Sequence, residues 1–242
     1  MLEFRIAEGC GPTGETLRKL CVGSTSPNRG IVCWGRGYNG TEPALNKLAG
    51  ATNKLQQLQK FKDAGILVPP FWGQLPTAVT DFPVLGRTLN HHGGKDIRLI
   101  MEAASAAFGG TSDYYIRYIP RATEYRTWIY RRRHLGTYEK VQVKAANRIG
   151  ANYRNGFSFQ LTPAEAVPEA LREIASKAVE SLGLDFGAVD VLKGQDGALY
   201  VLEVNTAPGV EGENRQVIQS LANKITKWEA LKFPRRNGAQ GV

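Results

Sequence analysis

Cysteine is scarce in this 242-residue sequence, and all three, Cys10, Cys21 and Cys33, lie in the first 33 residues. An odd number at these spacings gives neither a disulfide framework nor a metal-binding pattern. They read as small buried hydrophobes in a reducing compartment. No positioned base accompanies them, which argues against a catalytic thiol. Long apolar runs are missing too. None approaches the roughly 18 residues of a membrane-spanning helix, and Met1-Leu2-Glu3-Phe4-Arg5 opens no signal-peptide core. The expected location is the cytoplasm, with no membrane partner. There is no low-complexity tract. Acidic residues are under-represented, 22 against 31 basic ones, for a formal charge of +9. That balance asks for an anionic partner, either nucleic acid or a triphosphate with an acidic substrate. The dense basic clusters, Arg131-Arg132-Arg133 and Lys232 with Arg235-Arg236, read as a solvated turn and tail rather than a binding stripe.

What is present is concentrated in residues 184–209, LDFGAVDVLKGQDGALYVLEVNTAPG. Two hydrophobic runs flank a Gly-Gln-Asp-Gly turn, which predicts a β-hairpin. Pairing Lys193 with Ala198 places Asp190 opposite Val201. Val201, Glu203 and Asn205 then share one face, and Val189, Val191, Leu202 and Val204 form the core face. Asp190 lies one diagonal step from Glu203, roughly 7–8 Å between backbones. Two carboxylates and an amide oxygen on one face make an all-oxygen site suited to Mg²⁺.

Elsewhere the sequence predicts a strand at Leu2–Ala7, a short helix around Glu15–Cys21 and a buried strand at Ile31–Trp34. Gly9, Gly11 and Gly14 have dinucleotide-fingerprint spacing, but Pro12 interrupts the turn and no acid sits near position 34, so a Rossmann site is rejected. A helical pattern runs from Pro43 through Leu45, Leu48, Leu55, Leu58 and Phe61 to a stop at Gly65. Strands follow at Phe82–Arg87 and Asp96–Met101. The loop between them contains His91-His92-Gly93-Gly94-Lys95, whose glycines let backbone amides approach phosphate. With no third ligand in view, the two histidines read as polar loop residues. Further strands are predicted at Tyr114–Ile119, from Glu124 with Trp128 and Tyr130 on its apolar beat, and at Tyr138–Ala145. A helix is predicted from Pro163 to Leu182 with Thr162 as its N-cap and Gly183 as its stop, and a last helix from Asn214.

The string Leu202-Glu203-Val204-Asn205-Thr206-Ala207-Pro208-Gly209 closely resembles the ending of ATP-grasp enzymes. In that superfamily a Glu-x-Asn segment before a Pro-Gly turn bridges two magnesium ions to ATP phosphates, and an Asp about a dozen residues upstream completes the set. The resemblance implies Asp190, Glu203 and Asn205 as metal ligands, for two Mg²⁺ ions or Mn²⁺ in their place. It extends to Lys54, Ala64-Gly65-Ile66 and Pro69, and covers residues 46 to 230. It implies Arg87, where relatives carry a Lys, with Gly93, Gly94 and Lys95 as the phosphate clamp. A guanidinium can hold phosphate in a bidentate fork. It implies that Arg117, Tyr118 and Ile119 are the hinge reading adenine, that Glu124 meets ribose, and that Arg126 faces the reacting phosphoryl group. Phosphoryl transfer needs further cations near that group. Lys140, Lys144, Arg148, Asn152 and Arg154 are all in range. Spacing does not separate them; Lys144 and Arg148 are the cations expected at the γ-phosphate.

The expected fold is therefore α+β, an ATP-grasp of two lobes clasping ATP. Residues 1–45 form a reduced N-terminal segment, 46–118 the first lobe, 119–233 the second and 234–242 a basic tail. The resemblance implies a carboxylate-amine ligase working through an acyl phosphate on a small-molecule or peptide substrate, with an acidic one favoured by the charge. Such compact forms look like those encoded by bacteriophages, which would place the protein in the host cytoplasm. A kinase of the same fold and a basic nucleic-acid-binding protein that has lost catalysis are the competing readings. ATP turnover that depends on an amine separates the first, and salt-sensitive nucleic-acid binding without turnover separates the second.

Overall fold

The structure, a computed structural model, describes residues 2–8, 12–22, 30–89, 97–104, 112–144, 155–209 and 215–228. Three sheets organise them. β1 (Leu2–Ile6), β2 (Gly30–Trp34) and β3 (Ala44–Leu45) form a small parallel sheet in the order β1-β2-β3, with α1 (Pro12–Val22) between the first two. The short strands β4 (Phe71–Trp72), β5 (Val84–Arg87), β6 (Arg98–Ile100) and β7 (Tyr114–Arg117) form an antiparallel sheet, β4-β7-β5-β6. The largest sheet is antiparallel. It combines β8 (Arg121–Tyr130), β9 (Arg133–Gln142), β10 (Phe157–Thr162), β11 (Phe186–Gly194) and β12 (Leu199–Asn205) in the order β10-β9-β8-β11-β12. Three further α-helices, α2 (Lys54–Asp63), α3 (Glu169–Ser181) and α4 (Arg215–Thr226), and two 3-10 turns, Val79–Asp81 and Ala164–Ala166, complete the described elements.

The five-stranded sheet separates two cores, as strand alternation requires. Ile129, Val189, Val191, Val201 and Val204 face a cluster with Phe61 of α2, Leu171 and Ala175 of α3, and Leu85 and Ile116 of the four-stranded sheet. Trp128, Tyr130, Tyr138, Phe186 and Ala188 face the other way, against Trp34, Leu17 of α1 and Ile218 and Leu221 of α4. Trp34 lies 6.4 Å from Trp128 and 6.0 Å from Phe186, ring to ring. The N-terminal segment thus shares a core with the largest sheet. Asn46 stitches the two together. Its Oδ1 accepts the Asp185 and Phe186 N–H groups, and its Nδ2 donates to the Phe186 carbonyl at 2.8 Å.

The helical pattern predicted from Pro43 begins eleven residues late, at Lys54. Leu45 is instead a buried strand residue, and Asn46 (φ 54°) and Gly50 (φ 71°) turn the chain by left-handed backbone. Asn53 sets the true start, accepting from the Gln56 N–H while the Gln56 side chain accepts from the Asn53 N–H. α3 also starts later than predicted. Thr162 ends β10, a 3-10 turn occupies Ala164–Ala166, and Pro168 precedes the helix without a side-chain cap. Gly183 does stop it, at φ 68°. The predicted start of the last helix, Asn214, lies outside the described residues.

Candidate active site

On the inner face of the largest sheet, the aromatic core gives way to charge as the strands run on. Beyond Trp128, Tyr138 and Ala188, the same face of the same three strands carries Arg126 and Glu124 (β8), Lys140 (β9) and Asp190 (β11). Strand alternation puts each two residues past a core side chain or past another of the four. Asp190 is 5% exposed, Glu124 6% and Lys140 5%. Buried charges need partners, and here each has one. Arg126 donates Nε and Nη2 to the two Asp190 oxygens at 2.7 and 2.8 Å. Lys140 Nζ donates to Glu124 at 2.5 Å and to Asp190 at 2.8 Å. Phe159 of β10 covers the group, with the Arg126 guanidinium 5.0 Å and the Lys140 ammonium 5.7 Å from its ring centre.

The hairpin differs from its predicted register. Lys193 pairs with Leu199, one residue beyond the predicted Ala198, and Val191 with Val201; a β-bulge between Asp190 and Val191 then places an extra residue on β12, so that Asp190 pairs with Glu203. Asp190 is therefore directly opposite Glu203, not diagonal to it. The same bulge turns Val201 rather than Leu202 into the core, where it lies three residues from inward-facing Val204. Lys54, the first residue of α2, reaches across to Glu203 at 2.6 Å. Asn205 Oδ1 accepts the Ala207 N–H at 2.9 Å.

Burial alone would push the Asp190 carboxyl up. Arg126 and Lys140 outweigh it and hold the group well below the usual carboxylate range. The same opposition acts on Glu203, where burial is outweighed chiefly by Lys54, with a smaller contribution from Arg87, so its carboxyl also lies below the usual value. Among the described residues no group of three or more His, Cys, Asp or Glu could hold a metal ion. The oxygen set at this site is two opposed carboxylates and the Asn205 amide, whose chemistry fits a hard cation such as Mg²⁺.

Arg87 ends β5, half-buried, with its charge felt at Glu203. Arg117 donates to the Thr80 carbonyl. Arg117, Tyr118 and Ile119 together line a cavity of about 380 Å³ with Pro70, Pro120, Gln195, Asp196 and Tyr200. Lys144 is exposed, two residues beyond the end of β9. Gly93, Gly94, Lys95 and Arg148 lie outside the described residues. Lys140 is the cation that sequence reasoning passed over. Lys140 and Lys144 share the strand's alternation, and only the end of β9 at Gln142 separates them.

This architecture is the ATP-grasp fold. Residues 139–229 match the RimK-like ATP-grasp domain. A probable alpha-L-glutamate ligase of Citrobacter koseri is 42% identical over 57 residues, which are 24% of this chain and 19% of that protein. The chain thus spans about a fifth of the length of such curated relatives. The macrocyclase MdnC of Microcystis aeruginosa MRC, solved with its precursor peptide MdnA, superposes with a TM-score of 0.63 at 14% identity over 92% of this chain and 98% of its own. The ATP-grasp ligase PsnB, solved with a minimal precursor, Mg and ADP, gives 0.56 at 15% identity over 75% and 60%. At these identities the structures speak for the fold alone. No described helix is long and apolar enough to cross a membrane.

Proposed function

We propose that the protein is an ATP- and Mg²⁺-dependent carboxylate-amine ligase that joins an amino acid or amine to a peptide or protein carboxylate. The observation that carries this reading is the direct opposition of Asp190 and Glu203, ringed by Arg126, Lys140 and Lys54. Asp190, Glu203 and Asn205 would hold Mg²⁺, which supplies Lewis-acid neutralisation of phosphate charge. The glutamate-ligase relatives and the peptide-bound neighbours support an amino-acid donor and a peptide acceptor.

In this reading the nucleobase takes the cavity beside Tyr118 and Ile119, and Glu124 faces the ribose. Arg126 and Lys140 are held by acids at the catalytic face. When a triphosphate arrives, they can exchange carboxylate for phosphate oxygens and stabilise charge on the transferring group. Arg87 and Lys54 extend that cationic surface. A substrate carboxylate attacks the γ-phosphorus, giving an acyl phosphate and ADP. The amine then attacks the acyl carbon and expels phosphate, with one proton lost to solvent as the amide forms. No nucleophilic side chain is required.

Hydroxylamine trapping tests the reading. Incubated with ATP, Mg²⁺ and a glutamate-rich peptide, the protein should release ADP and, when hydroxylamine replaces the amine, convert the acceptor carboxylate to a hydroxamate. A stable phosphoester product in place of the hydroxamate would identify a kinase. Nucleic-acid binding without ADP release would discard catalysis altogether.

A further inference from the structure

We infer that Gln57 is a positioning residue that sets the geometry of the metal-binding strand, an assignment that rests on the proposed function. β12 is the last strand of the five-stranded sheet, so among the described residues one edge of its backbone has no neighbouring strand. Such an edge must find partners elsewhere. At Val201 the partner is the Leu67 carbonyl, which accepts the Val201 N–H at 3.0 Å. At Val204 it is a side chain. Gln57 Oε1 accepts the Val204 N–H at 2.9 Å, and Gln57 Nε2 donates to the Val204 carbonyl at 3.3 Å. One amide thus makes both bonds that a sixth strand would make at that residue.

Val204 sits between Glu203 and Asn205, and its own side chain is anchored in the core at 2% exposure. Fixing its peptide groups fixes the directions in which both flanking side chains leave the strand. The clamp comes from α2, whose Lys54, one turn earlier, pairs with Glu203. The capping box at Asn53 and the buried Leu58 and Phe61 hold α2 in place. Gln57 is itself buried, so covering an exposed surface is not its role. Its two bonds go to the one residue whose displacement would move two ligands together.

The test is Mn²⁺ binding by electron paramagnetic resonance in the presence of a non-hydrolysable ATP analogue. Gln57→Met keeps the volume and removes both bonds. It should weaken Mn²⁺ binding by about tenfold or more, as loss of groups that orient metal ligands commonly does. Binding of the nucleotide analogue without metal should stay within about twofold of wild type. Gln57→Glu keeps the acceptor for the Val204 N–H and should fall between the two. Phe61→Leu, on the same helix but in the core, should lower Tm and leave Mn²⁺ affinity unchanged. A Gln57→Met protein that melts lower yet binds Mn²⁺ like wild type overturns the assignment. So does a Phe61→Leu protein that loses Mn²⁺ affinity equally, or a folded Gln57→Glu protein with wild-type affinity should the Met variant not fold. A wild-type protein showing no nucleotide-dependent Mn²⁺ signal removes the functional reading itself, and the assignment with it.

Discussion

Asp190 and Glu203 are direct cross-strand partners, two carboxylates facing one another on a single face of the β11–β12 pair. Like charges so placed repel, and Arg126, Lys140 and Lys54 offset that repulsion. The pairing concentrates negative charge where a divalent cation can use it, and it makes each of the three cations sensitive to substitution.

Arg126→Met leaves the Asp190 carboxylate buried with Lys140 as its remaining ion-pair partner. The expected loss is about 3 kcal/mol of unfolding free energy, the lower end for breaking a buried pair. Combining it with Asp190→Leu should recover most of that loss. Urea denaturation of the four proteins of the cycle gives the coupling directly.

Asp190→Asn and Glu203→Gln each remove one ligand charge at constant size. Divalent-dependent ADP release should fall at least about a hundredfold, because several kcal/mol of charge stabilisation goes with the metal. The far-ultraviolet circular dichroism should be unchanged. Turnover at the wild-type rate in either variant would remove the metal assignment.

Lys140 and Lys144 are separated by a comparison of their Met variants. Lys140→Met should lower kcat by about a hundredfold, the scale of one preorganised charge at a transferring group. Lys144→Met, altering an exposed side chain, should change kcat by no more than about threefold. Equal losses would show that Lys144 reaches the phosphates when substrate is bound.

Asn46→Leu strands the Asp185 and Phe186 N–H groups and the Phe186 carbonyl, all now satisfied by one amide. Unfolding free energy should drop by about 3 kcal/mol or more, since each orphaned buried group costs on the order of 1 to 3 kcal/mol. A drop below about 1 kcal/mol would mean that water replaces the amide.

Burial pushes the Cys21 thiol up to about 12 and the Cys33 thiol up to about 11. Unfolded thiols ionise near pH 8.5, well below both buried cysteines. The folded state therefore keeps protons that the unfolded state releases. This contribution to stability is intact below about pH 8.5 and is lost as pH rises towards the folded values. A Cys10→Ser protein should show almost no reaction with Ellman's reagent at pH 8 and two thiols in denaturant. Its Tm should fall between pH 8.5 and 11 more steeply than that of a protein also carrying Cys21→Ala.

Local chemistry determines much of this protein without any tertiary contact. The alternation of Val189, Asp190 and Val191 and the Gly194–Gly197 turn were enough for a hairpin with acids on one face, because a strand's two-residue period and a turn's backbone demands are written residue by residue. The stop at Gly183 and the aromatic beat of Trp128 and Tyr130 were legible for the same reason. Starts of helices were less so. The apolar spacing through Leu45 and Leu48 mimicked a helix that the capping box at Asn53 begins only later. Tertiary structure alone decided the rest. The bulge beside Asp190 depends on the core accepting Val201 rather than Leu202, and the length of β9 decides that Lys140 is buried and Lys144 exposed. The Gln57 clamp joins residues 147 positions apart. Such choices arise from packing between distant segments, and no local pattern encodes them.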